Sequence, residues 1–100
     1  VAEKLRLDHG ALAALLVPTP TAAIIKTIRI VLEAHNPLEE GPEGVYTICE
    51  QLFGPQAPAI LAELQLAPEV KVAPHHDGSF VMEATHRALT RAGYNADEFV

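Results

Sequence analysis

Val17-Pro18-Thr19-Pro20-Thr21 constrains this chain more than any other stretch. Two closely spaced prolines cannot continue a helix, yet they stand between two segments that both carry apolar residues at helical spacing. From Ala2 to Val17 the chain is rich in Ala and Leu, and Leu5, His9, Leu12 and Leu16 fall on one helical face, with His9 in the middle of it. Gly10 inside this helix costs about 1 kcal/mol relative to Ala, which predicts the close approach of a neighbouring element. Thr19 is the expected N-cap of the next helix, with Pro20 at its first position, where a missing N–H does no harm. A connection this short makes the two helices antiparallel neighbours.

The second helix is expected from about Pro20 to at least His35, with Ile24, Ile28, Val31, Leu32 and His35 facing inward. Pro37 leaves three outcomes open: the helix kinks, it ends at His35, or Asn36 caps a new turn that Pro37 begins. Gly41-Pro42-Glu43-Gly44 is a turn signal. After it Val45, Ile48, Cys49 and Leu52 make a short amphipathic helix ended by Gly54. Pro58 to Leu66 is a further short helix carrying Ile60, Leu61 and Leu64, Glu69 to Pro74 an extended loop, and His75-His76-Asp77-Gly78 a second loop. Ser79 or Asp77 then caps a last helix, about Phe80 to Ala92, with Val81, Ala84, Ala88 and Ala92 inward and Gly93 just beyond its end. The acidic tail from Tyr94 is expected to fray. The fold class is therefore all-α, an antiparallel helix hairpin plus shorter helices. Residues 1–53 hold the hairpin and the helix after it, and residues 54–100 are a C-terminal extension of the same domain.

Charge and composition exclude several functions. The 100 residues carry 7 basic and 13 acidic side chains, a formal net charge of −6, with no basic cluster and few aromatics to stack on bases, which argues against nucleic acid. Cys49 is the single cysteine and cannot form an internal disulfide, so a reducing compartment, the cytoplasm by default, is expected. Lys26 and Arg29 interrupt the Ile-rich stretch, and no apolar run is long enough to span a bilayer or reads as a signal peptide. The first residue is Val and the first helix starts almost at once, so a processed or truncated chain is expected. A domain of this size buries a modest fraction of its surface, and metal or a partner chain would supply stability it lacks.

The leading chemical constellation is His9 on the first helix with His35 and Glu39 on the second. His9 lies about ten residues before the turn and His35 about fifteen after it, so in a hairpin they differ by roughly 7 Å along the axis. Imidazole and carboxylate donors together suit iron, manganese or zinc, and a glutamate can bridge two ions. The plainer reading is a hydrogen-bonded core histidine beside a solvated Glu39-Glu40 pair. His75-His76-Asp77 reads as ordinary surface, since adjacent loop histidines point apart. Glu83-Ala84-Thr85-His86 has the Glu-x-x-His spacing of di-iron carboxylate bundles but no companion, and reads as an exposed polar face. Cys49 falls on the inward stripe of its helix and reads as core. No nucleophile with its base, phosphate loop or paired-acid geometry marks an enzyme.

At these residues the chain resembles the hemerythrin-like (HHE cation-binding) domains. Leu7-Asp8-His9-Gly10-Ala11-Leu12 is similar to that family's D-H-x-x-L helix, and His35-Asn36-Pro37-Leu38-Glu39-Glu40 followed by Val45-Tyr46 to its H-N-x-x-E-E…L-Y segment. The resemblance covers about residues 3–53. It implies half of a four-helix bundle that holds two irons, with His9 and His35 as terminal ligands and Glu39 as a bridging ligand. A complete site needs two such helix pairs, so the resemblance implies either a homodimer or a missing N-terminal half of the same chain. The expected function is a non-haem di-iron protein that binds or senses oxygen, nitric oxide or peroxide, or stores iron, with Tyr46 near the bound small ligand. The alternative is a metal-free helical protein–protein interaction domain.

Overall fold

The computed structural model describes residues 1–99 and is all-α: 72% of the chain is helical and the described residues form no strand. Among the described residues six helices follow one another: α1 (Ala2–Leu15), α2 (Ala22–Glu40), α3 (Val45–Phe53), α4 (Ala57–Leu66), α5 (Ser79–Arg91) and α6 (Ala96–Phe99), with a 3-10 turn at Gly54–Gln56 between α3 and α4. None is long and apolar enough to cross a membrane. Two compact units result, one formed by Val1–His35 with Val72–Val100, the other by Asn36–Lys71.

The core of the first unit joins four helices. Ala11 and Leu15 of α1, Ile24 and Val31 of α2, Leu89 of α5, Ala92 just past the end of α5, and Ala96 of α6 are buried together, and Leu7, Leu12, Ile28, Ala88 and Tyr94 pack against them. Helix α5 packs most closely on α1. The buried face of α1 is Leu5, Asp8, Ala11 and Leu15, which corrects the expected stripe by about one residue. His9 is exposed and Leu16 is 64% exposed. The leucines of α1 fit two overlapping helical series, and the one chosen turns Asp8 inward. Likewise α2 buries Ile24, Thr27, Val31 and His35 while Leu32 stays at the surface, and α5 buries Val81, Thr85 and Leu89 where Ala84 and Ala88 are half-buried. Thr27 and Thr85 tolerate burial because each hydroxyl donates one turn back, to the carbonyls of Ala23 and Val81, both at 2.8 Å.

Several local expectations change. The N-cap of α2 is Thr21, whose Oγ1 accepts from the Ile24 N–H at 3.2 Å. Thr19 is engaged elsewhere: its N–H and hydroxyl both donate to the Asp77 carboxylate, at 2.7 and 2.8 Å, while the His76 N–H donates to the Val17 carbonyl at 3.0 Å. The loop at residues 75–77 thereby fastens the proline turn, a role its sequence did not announce. Nothing lies within 4 Å of a Cβ built on Gly10, so no element approaches it. Helix α5 begins at Ser79 after Gly78, without a side-chain cap from Asp77 or Ser79.

Helix α2 runs through Pro37 to Glu40, so it neither ends at His35 nor restarts with Asn36 as a cap. The proline ring and Glu33 both face solvent, where water can serve the carbonyl that Pro37 cannot bond. The chain then turns tightly enough that a Cβ on Gly44 would stand 2.7 Å from the Glu39 carbonyl oxygen. Within the tail expected to fray, Ala96–Phe99 form the short helix α6. After Gly93, whose φ of 94° suits glycine at a helix C-terminus, Tyr94 turns inward and Ala96 is buried; Val100 lies outside the described residues. In the second unit α3 and α4 form where expected, yet neither buries a residue, and Cys49, expected in a core, is exposed.

Candidate metal centre

Helices α1 and α2 each deliver an imidazole to one place. His9 Nε2 and His35 Nε2 are 3.1 Å apart, with ring planes inclined at 60°. Glu39 follows His35 by four residues on α2, about one turn and 6 Å of rise, so helix geometry alone puts both on one face. One ligand atom from each of His9, His35 and Glu39 lies within 4.8 Å of the others, and among the described residues no other such group of three histidine, cysteine or carboxylate side chains forms. His35 is buried, Glu39 half-buried and His9 exposed, so the cluster has a protein side and an open side.

The spacing suits shared ligation. Two imidazole nitrogens about 2.1 Å from one ion stand about 3.0 Å apart at a right angle and about 3.4 Å apart at the tetrahedral angle. The observed separation falls between these values. Two histidines and one carboxylate are also the donor set of non-haem Fe(II) sites, and such a set leaves positions for a small ligand. These three donors suffice for one ion; a second ion would need donors beyond them.

Asp8, which the sequence reading passed over, holds His35 in place. It is fully buried and accepts three hydrogen bonds: from Lys4 Nζ at 2.7 Å, from the Tyr94 hydroxyl at 3.1 Å, and from His35 Nδ1 at 3.1 Å. Burial by itself pushes this carboxyl up, but the bonds from Lys4, His35 and Tyr94 outweigh it and hold Asp8 below the usual carboxylate range. An ionised carboxylate only accepts, so His35 Nδ1 must carry the proton. In a neutral ring that leaves the Nε2 lone pair directed at His9, the tautomer a metal ligand needs. Lys4 completes the arrangement, donating also to the Ala92 carbonyl and lying 4.2 Å above the Tyr94 ring. The i,i+4 spacing of Lys4 and Asp8 was visible in the sequence, and a charged pair aimed at an apolar face was the available signal.

The remaining candidates stay apart from this cluster. His75 Nε2 lies 2.9 Å from Asp77, His86 Nε2 lies 2.8 Å from Asp97, and the His76 ring packs on Phe80 with centroids 4.6 Å apart. Glu83 is exposed, whereas His86 is half-buried and turned to Asp97. Tyr46 is 56% exposed, and its phenol is raised above its ordinary value first by the charge of Glu39, then by burial, a hydrogen bond with Glu39 and the charge of Glu40.

Fold and donor set define the class: an all-α protein with one two-histidine, one-glutamate cluster. No protein-family model, curated protein or solved structure matches the chain.

Proposed function

We propose that this chain is a hemerythrin-like non-haem metal protein in which His9, His35 and Glu39 hold iron, with manganese or zinc as competitors. The observation that carries the reading is the convergence of three ligand atoms within 4.8 Å while a buried carboxylate fixes the tautomer of the central histidine. When bound, the ion supplies Lewis acidity and, for iron, a redox couple to a small ligand such as dioxygen, nitric oxide or peroxide. The chain's own residues do the rest. His35 is held by Asp8 with Nε2 forward, Glu39 offers a carboxylate one turn on, and exposed His9 completes the set from α1. In this reading α1 and α2 are one helix pair of a four-helix bundle, and a second copy of the chain or a further segment of the same polypeptide supplies the other donors for a two-iron site.

Anaerobic loading with Fe(II), with metal analysis, visible absorbance after exposure to air, and mass by light scattering, tests this. About one ion per chain bound through these donors is expected, two where a second donor set joins, and His35→Ala should abolish binding while helicity is retained. Less than about one iron per ten chains at saturation, or a His35→Ala variant that binds like the parent, rejects the assignment. That outcome would favour the metal-free interaction domain.

A further inference from the structure

Helices α3 and α4 belong to a unit with no core of its own. Neither helix buries a residue, yet Leu52, Phe53, Leu61 and Leu64 are 64, 48, 56 and 66% exposed. Between the two helices lies a groove of about 560 Å³ walled by Phe53, Ala57, Ile60, Leu61 and Leu64, with Cys49 and Glu50 at its edge. Apolar side chains gathered along a groove in this way mark a surface that another molecule covers.

Charge says what kind of molecule. Residues 36–71 carry Glu39, Glu40, Glu43, Glu50, Glu63 and Glu69 against Lys71 alone, six acids to one base, so this unit holds five of the six net negative charges of the whole chain. Such a surface repels an anionic membrane, a nucleic acid, and the same face of a second copy. It attracts a ligand that is apolar on one side and cationic around it. The groove runs between helices of 9 and 10 residues, about 15 Å long, the length of three helical turns. A helix laid in it would place anchors at i, i+3 or i+4, and i+7 over the leucines. We propose that the α3–α4 groove docks a basic amphipathic helix of a partner protein, with Leu61 and Leu64 as the floor and Glu50 as a charged residue of its lining. This is independent of the metal cluster, and either assignment stands if the other fails.

The test uses the full chain and three fluorescent synthetic helices of equal length: a Leu/Lys amphipathic helix, its scrambled sequence, and a Leu/Glu helix of the same pattern. Anisotropy titrations at low and high salt, vesicles containing anionic lipid, and the mass of the chain alone complete the set. Only the Leu/Lys helix should bind, with affinity falling at least about tenfold in Leu61→Asp/Leu64→Asp and about threefold in Glu50→Gln. Both leucines are more than half exposed, so the first variant removes no buried side chain, and unchanged circular dichroism confirms that. Equal binding of all three helices, no binding, or binding that survives Leu61→Asp/Leu64→Asp overturns the proposal. So does a chain that is already a dimer and becomes monomeric in that variant, or one that prefers the anionic vesicles.

Discussion

Asp8→Asn is the most informative single change in this chain, because it keeps the shape of a fully buried side chain and alters only what it can accept. The Asn carbonyl can still take the bonds from Lys4 and Tyr94, but an amide NH₂ then faces His35 Nδ1. One charge-assisted hydrogen bond, about 1.5–3 kcal/mol, is lost unless the ring moves its proton to Nε2 and accepts at Nδ1 instead. The Lys4 side chain is 37% exposed, so its weakened ion pair adds only about 0.5 kcal/mol. Partial rescue by the tautomer change leaves a net loss of about 1–2 kcal/mol for the metal-free protein, which in a domain of this size lowers Tm by roughly 5–15 °C. The rescue has a consequence for binding. It puts a proton on the nitrogen that should face the ion, and loss of such an outer partner costs about 10–100-fold in metal affinity. Zn(II) competition against a chromophoric chelator measures the affinity, calorimetry with EDTA present measures stability, and imidazole nitrogen shifts report the tautomer. A variant that binds Zn(II) within a factor of about two of the parent, with the His35 proton moved to Nε2, refutes the reasoning. Asp8→Ala, which strands three donors at once, should cost more, about 3–5 kcal/mol.

Four further outcomes are expected. Gly10→Ala should raise stability by about 0.5–1 kcal/mol in thermal or urea unfolding, because Gly10 is an exposed helical residue with open space around its Cβ position. Leu89→Ala, at a side chain with no exposure, should lose about 2–5 kcal/mol in the same assay. Asp77 is held below the ordinary carboxylate range first by the Thr19 backbone N–H, then by the Thr19 hydroxyl, against an opposing push from burial and with lesser help from His75. Its contribution is thus present above the unfolded carboxylate pKa of about 3.9 and is lost as pH falls through the lower folded value; exchange protection of the Thr19 amide should follow that titration in the parent and be weak throughout in Asp77→Asn. Gly44→Ala would bring a Cβ against the Glu39 carbonyl at 2.7 Å, so it should disturb the end of α2 and weaken Zn(II) binding without melting the core of the first unit.

What the sequence discloses is local, and what it conceals is tertiary. Gly54 and Gly93 end α3 and α5 where punctuation says, and the proline pair at Pro18 and Pro20 separates α1 from α2, because these rules act within a few residues. Pro37 was undecidable from sequence. A proline inside a helix is tolerated when its ring and the orphaned carbonyl both face water, and orientation is a property of the whole domain. The inward faces of α1 and α5 were displaced for the same reason. Leu12, Leu16, Ala84 and Ala88 satisfy a helical period as well as the residues that are buried, and only the packing of α1 on α5 and of α5 on α6 selects between the series. His9, His35 and Glu39 could be chosen in advance since H-x-x-x-E sits on one helix, whereas two of the three partners of Asp8 lie 27 and 86 residues away. No spacing rule reaches that far.

The buried core of the first unit is small in side-chain volume, with alanines at positions 11, 92 and 96 among its members. At so little apolar area per residue, polar groups that fix geometry count for more than in a large domain. Lys4, Asp8, Tyr94 and His35 bind α1, α2 and the segment after α5 into one hydrogen-bonded group around a single carboxylate. An ion bound only by the folded state at a hundred times its dissociation constant would add about 2.7 kcal/mol to the same region. The second unit has neither a core nor such a network, and a covering helix is what would give α3 and α4 their missing buried face. The two proposed ligands would therefore answer one deficit in two places. Amide exchange should resolve them, with metal protecting residues of α1 and of α2 around His35, and a bound helix protecting α3 and α4.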